Sequence, residues 1–184
     1  MAESHGAKVI LSPAGRARQM NAGASAASGD VLLFLHADTC LPDGFDRHVH
    51  HVLAQPGVAA GAFELRIDDS RPHVRIIERI ANLRSRRFQM PYGDQAIFLK
   101  AELFRDVGGF SDIPILEDVD LIRRVRRRGR IALAPAAAST SARRWKNIGV
   151  WKTTLINQWV MAAYFLGVSP ARIAHWYGRD RGIS

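Results

Sequence analysis

Residues 32–39, LLFLHADT, constrain the fold of this chain most. Leu32 to Leu35 form an unbroken apolar run, with Gly29-Asp30 before it and Pro42-Asp43-Gly44 after it. A run of that length between turn residues reads as an interior strand of an α/β sheet. The stretch ends in His36, Ala37, Asp38 and Thr39, and the C-terminal ends of strands are where such sheets collect ligands. An imidazole and a carboxylate there point to a site. Asp38 would equally cap the following turn, a place that Asp and Thr favour.

The remaining pattern alternates strands and helices. AKVILSP, residues 7–13, reads as a strand ended by Pro13. Residues 15–27 enter a helix that closes near Gly29, with Met20 and Ala24 at helical spacing. Phe45, Val49 and Val52-Leu53 mark a helix, and VAAGAFELRI (58–67) a strand. In residues 73–88 the apolar positions 76, 77, 80 and 83 give a helix with one apolar face and one Arg-bearing face. A strand to Leu99, a short helix and a Gly-Gly turn follow. Residues 116–129 are an amphipathic helix with Val119, Ile122 and Val125 inward and a stop at Gly129, and IALAPAA is a further strand. With no repeat and no linker, the expectation is one α/β domain over 1–184, of which 145–184 is a Trp-rich helical tail.

Composition sets the class. At 184 residues, 47% hydrophobic and 23% charged, the chain suits one domain with an apolar core. The N-terminus lacks the apolar core of a signal peptide and no run of eighteen apolar residues occurs, so a cytoplasmic protein is expected. The single cysteine, Cys40, excludes a disulfide framework. The net charge of +9 is carried mainly by Arg, which suits phosphate. Nucleic acid, an anionic membrane surface or a nucleotide diphosphate would each satisfy it. Nucleic acid is disfavoured, because aromatics are not interleaved with the basic residues and no binding motif is present.

Three acidic positions stand at strand ends or helix starts: Asp38, Asp94 in YGDQ, and Glu117-Asp118. Carboxylates at a helix start complement its dipole. They also hold divalent cations or take a proton from a hydroxyl. Asp94 reads as well as a turn residue.

Taken together, four blocks resemble the inverting glycosyltransferases of family 2, and most closely the small bacterial branch of rSAM/selenodomain-associated transferases. The blocks are residues 15–42, GDQAIFLKAELFRDVGGF (93–110), LEDVDLIRRVRRRGR (116–130) and TSARRW (140–145), in the order that the family uses. The resemblance implies a GT-A-like, Rossmann-like fold: a mixed, mainly parallel sheet flanked by helices. It implies transfer of a sugar from a nucleotide-diphosphate donor to an acceptor hydroxyl, with Mg²⁺ or Mn²⁺ as cofactor. His36-Ala37-Asp38 resembles the family's DXD element, with Asp38 as metal ligand and His36 in place of the first Asp. Arg16, Arg18, Gln19 and Asn21 match the loop that approaches the nucleotide. Glu117-Asp118 matches the ED motif, with Asp118 as base. Arg143-Arg144-Trp145 looks like the basic-aromatic element over the diphosphate, and also reads as a solvated charge run. Gly93 and Asp94 fall on the acceptor side.

One departure matters. Family members begin with an apolar strand, a helix and a second strand that grip base and ribose, whereas this chain starts at what resembles the end of the second helix. The expectation is an N-terminally shortened domain with an exposed sheet edge, which favours a homodimer. A shortened transferase retained as a non-catalytic partner is the alternative, and peripheral membrane contact through the Arg excess is a further expectation.

Overall fold

The computed structural model describes residues 3–143 and 149–178, without the side chains of Val150 and Trp151. After a 3₁₀ turn at Glu3–His5, the elements are α1 (Arg16–Ala26), β1 (Val31–Leu33), β2 (Thr39–Cys40), α2 (Phe45–Leu53), β3 (Val58–Asp68) and α3 (Pro72–Phe88). A 3₁₀ turn at Gly93–Gln95 leads to β4 (Phe98–Lys100), α4 (Ala101–Asp106), α5 (Glu117–Val125), β5 (Arg130–Ser141), α6 (Val150–Phe165) and α7 (Pro170–Trp176). The five strands form one sheet in the order β1-β4-β3-β5-β2. The α/β class holds.

The sheet is mixed, and its longest pairing is parallel. Only β3 and β5 run parallel, while β1 with β4, β3 with β4, and β2 with β5 are antiparallel. Residues 7–13, expected as a strand, are not one. They carry β-forming side chains, but no described segment pairs with them, and Val9 and Leu11 are exposed to 50% and 95%. A strand exists only through its neighbour's hydrogen bonds. The apolar run 32–35 is also shorter as a strand than expected. It leaves the sheet after Leu33, where Phe34 donates its N–H to the Ile97 carbonyl and its ring packs against Phe104 and Phe110. That departure turns His36 to Asp38 out of the sheet.

β3 and β5 are the long axis of the fold. Between Ala62 and Glu64 of β3 the partner advances from Leu133 to Ala137, a bulge that accommodates Pro135, which has no N–H to give to a ladder. β4 crosses β3 at Gly61, where a Cβ would lie 2.3 Å from the Phe98 ring and 2.8 Å from Val52. On the side facing away from β5, β3 has a strand partner only at Ala60 and Gly61. Further along, α3 covers that edge with side chains. Asn82 accepts from the Leu65 N–H and donates to its carbonyl, and Glu78 accepts from the Ile67 N–H.

α5 buries Val119, Ile122 and Val125 as its periodicity requires. It ends at Val125 rather than at Gly129. Gly129 serves a different purpose, since a Cβ there would stand 2.8 Å from the Gly57 carbonyl. The tail helices α6 and α7 contribute Val160, Met161, Ala163, Ile173 and Ala174 to the same core cluster as α5. Among the described residues, no helix is long and apolar enough to cross a membrane.

Candidate active site

A cleft of about 550 Å³ opens where α1, the turn after β1, the Gly93–Gln95 turn, the start of α5 and the end of β5 converge, with α6 and Tyr177 across from them. The strand-end turn supplies His36 and Asp38. Thr39 donates its N–H to the His36 carbonyl and its hydroxyl to Thr140 Oγ1 of β5, and the Asp38 carbonyl accepts from the Ser141 N–H, so the turn is tied to the sheet. The Asp38 carboxylate caps nothing among the described residues and lines the cleft.

Arg16, the first residue of α1, joins two other parts of the wall. One terminal nitrogen donates to His36 Nε2 at 2.6 Å, so that ring nitrogen is the unprotonated one. Its Nε lies 3.0 Å from Glu117 Oε1. Glu117 is 1% exposed and does not line the cleft, so its carboxylate acts as an anchor beneath Arg16.

Asp118, the next residue, does reach the cleft. Its Oδ2 accepts from the Gly93 N–H at 2.6 Å and its Oδ1 from the Val119 N–H at 2.8 Å. The residue before this pair, Leu116, is held at φ 67°, the left-handed region that a branched side chain avoids. Such strain persists only where surroundings impose it, as at a site. Gly93 is a matter of space: a Cβ would meet His36 Nε2 at 2.7 Å and Asp118 Oδ2 at 3.1 Å. The turn carrying Gly93 is fixed by buried Gln95, which donates to the Phe63 carbonyl and accepts from Ser85 and the Tyr92 N–H.

Asp94 lines the cleft with its Oδ1 closed off from solvent and without a hydrogen-bond partner among the described residues. Loss of solvation pushes its carboxyl up to about 6; nearby Arg84 pulls the other way, and Asp118 adds to the rise. Between the ordinary value of 3.8 and about 6, the folded state holds a proton that the unfolded chain has released. The burial penalty on this charge is thus fully present above about 6 and is relieved as pH falls toward 4. Asp94→Asn is expected to melt higher than the native chain at pH 7–8, with the gap closing near pH 4 in thermal melts run across that range. A constant gap would show that Asp94 does not titrate in the fold.

Of the residues expected at a site, the structure brings Arg16, His36, Asp38, Gly93, Asp94, Asp118 and Arg143 to the cleft. It does not bring Arg18, Gln19 or Asn21. Arg18 forms a two-pronged pair with Asp112 on the surface, Gln19 is exposed outside the cleft, and Asn21 clasps both backbone groups of Phe110. Arg144 and Trp145 lie outside the described residues. Sequence reasoning missed Tyr92, under the Arg84 guanidinium at 3.5 Å, and Asn157 and Tyr177 of the tail. Asn157 left a signal, since it and Gln158 are two amides set in the apolar run of α6.

Among the described residues, no group of three or more His, Cys, Asp or Glu side chains is placed to hold a metal. With His36 engaged by Arg16, Asp38 is one hard oxygen donor, which fits a cation whose other ligands come from a bound anion and water.

A comparison with protein-family models matches Glycosyl transferase family 2 over residues 1–110. The chain belongs to glycosyltransferase family 2. A search of curated proteins gives no match. Among solved structures, this family 2 chain is similar to the mannosyltransferase PcManGT from Pyrobaculum calidifontis in complex with GDP-Man and Mn²⁺. The TM-score is 0.55 and the identity 21%, over 75% of this chain and 41% of that one. The likeness shows the GT-A-type fold, and the chain spans less than half the length of that neighbour.

Proposed function

We propose that the cleft transfers a sugar from a nucleotide-diphosphate donor to an acceptor hydroxyl in one displacement, with inversion at the anomeric carbon. The observation that carries the reading is the Asp118 carboxylate, fixed by the Gly93 and Val119 amides in the same cleft as Asp38. Asp118 takes the proton of the acceptor hydroxyl as the acceptor oxygen bonds to the anomeric carbon, and the bond from that carbon to the diphosphate breaks. Arg16 and Arg143 stand in the same cleft to receive the charge that develops on the leaving diphosphate. Asp38 would hold a Mg²⁺ or Mn²⁺ ion, which would supply further charge stabilisation for the leaving diphosphate. Gly93 and Asp94 sit beside Asp118, on the acceptor side.

Calorimetric titration with UDP and GDP, with and without Mn²⁺, tests the donor half. Binding is expected to need the metal and to disappear in Asp38→Ala, while Asp118→Asn binds as the native chain does. Binding indifferent to both metal and Asp38 would overturn the donor assignment. No binding of either nucleotide would favour the non-catalytic partner reading.

A further inference from the structure

α3 is apolar on two sides. Toward the sheet it turns Val74, Ile77 and Ala81, which pack with Leu65 and Ile67, and Glu78, Asn82 and Ser85, each hydrogen-bonded to β3, to its own helix or to Gln95. Outward it turns Ile76, Ile80 and Leu83, which are 50%, 57% and 66% exposed, at the i, i+4, i+7 spacing of one stripe, and Phe88 follows at 63%. Large aliphatic side chains spaced along one helix face and left in water mark an interaction surface. Arg79, Arg86 and Arg87 share that outer face, and neither Arg79 nor Arg87 pairs with a carboxylate among the described residues. Across Pro72–Phe88 there are five arginines against one glutamate.

We propose that the outer face of α3 docks on an anionic lipid surface. An apolar stripe edged with arginine is the pattern of a helix lying in the plane of a bilayer interface: the aliphatic groups enter the headgroup boundary while the guanidinium groups meet phosphate. Each basic residue near such a surface adds to the attraction. A second copy fits less well, because a two-fold contact would face these arginines with their own equivalents. Nucleic acid would use the arginines and leave the aliphatic stripe in water. The assignment is independent of sugar transfer, since it uses no residue of the cleft.

The test is flotation with vesicles, without nucleotide or metal. The native chain is expected to float with vesicles of two parts phosphatidylcholine to one part phosphatidylglycerol, and not with phosphatidylcholine alone. Ile80→Ser combined with Leu83→Ser should weaken partition roughly tenfold or more. Arg79→Gln combined with Arg87→Gln should weaken it about tenfold and flatten its salt dependence. Leu155→Ser with Leu166→Ser, on the exposed side of the tail, should float as the native chain does. Because all these positions are at the surface, unchanged circular dichroism and melting are expected for every variant, and the Arg pair tests the proposal with the apolar stripe intact. Three results would overturn it: no flotation of the native chain, flotation unaffected by the α3 substitutions, or a dimer in sedimentation equilibrium that Ile80→Ser and Leu83→Ser split without any vesicle binding.

Discussion

Asp118→Asn is expected to lower sugar transfer by about 10²–10⁴-fold, the range that a positioned general base contributes. The substitution keeps size and shape. One side-chain oxygen remains to accept the Gly93 N–H, so the turn stays in place, and what is lost is the bond from the Val119 N–H and the capacity to take a proton. Nucleotide affinity should change little, because Asp38, and not Asp118, is assigned to the diphosphate, and the Gly93 contact is kept in the variant. The measurement is transfer rate and nucleotide binding on the same preparation. Equal loss of both would assign Asp118 to the donor. Full activity with intact binding would remove it from the proton transfer altogether.

Gly61→Ala is expected to destabilise the fold by about 3 kcal/mol, at the upper end of ordinary overpacking. The new Cβ would be placed 2.3 Å from two atoms of the Phe98 ring and 2.8 Å from Val52. Both neighbours are fully buried, so neither has free space to swing into. Either the ring leaves its rotamer or β4 moves away from β3, and β4 meets β3 at only two residues. For a chain of this size the loss corresponds to a melting temperature lower by about 6–12 °C, readable by calorimetry. A melt within a degree of native would mean that Phe98 repacks freely.

What could be read from sequence were the features that depend on neighbours in the chain. The strand-end turn with Asp38, the acidic start of α5 and the inward positions Val119, Ile122 and Val125 are of this kind. What could not be read depends on contacts between distant segments. Arg16 belongs to a loop expected to approach nucleotide, yet its partners are His36, twenty residues on, and Glu117 in another element. Its neighbour Arg18 faces Asp112 instead, since successive residues on a helix point in different directions. The strand expected at residues 7–13 has suitable side chains, but a strand's partner is not encoded within the strand. α3 shows the same limit in another form: the periodicity of 76, 80 and 83 identifies a stripe, and nothing local says whether the stripe faces the sheet or the solvent.

The edge of β3 that α3 covers has a consequence for how the molecule breathes. The amides of Leu65 and Ile67 lie within a strand, but their hydrogen bonds end on Asn82 and Glu78 of the helix. Their protection from solvent exchange is therefore set by the free energy of lifting α3, whatever the stability of the pairing between β3 and β5 on the other side of the same residues. Kinetically, these two strand residues belong to the helix. Anything that grips the outer face of α3 steadies them, and anything that melts the helix leaves an open strand edge available to another chain.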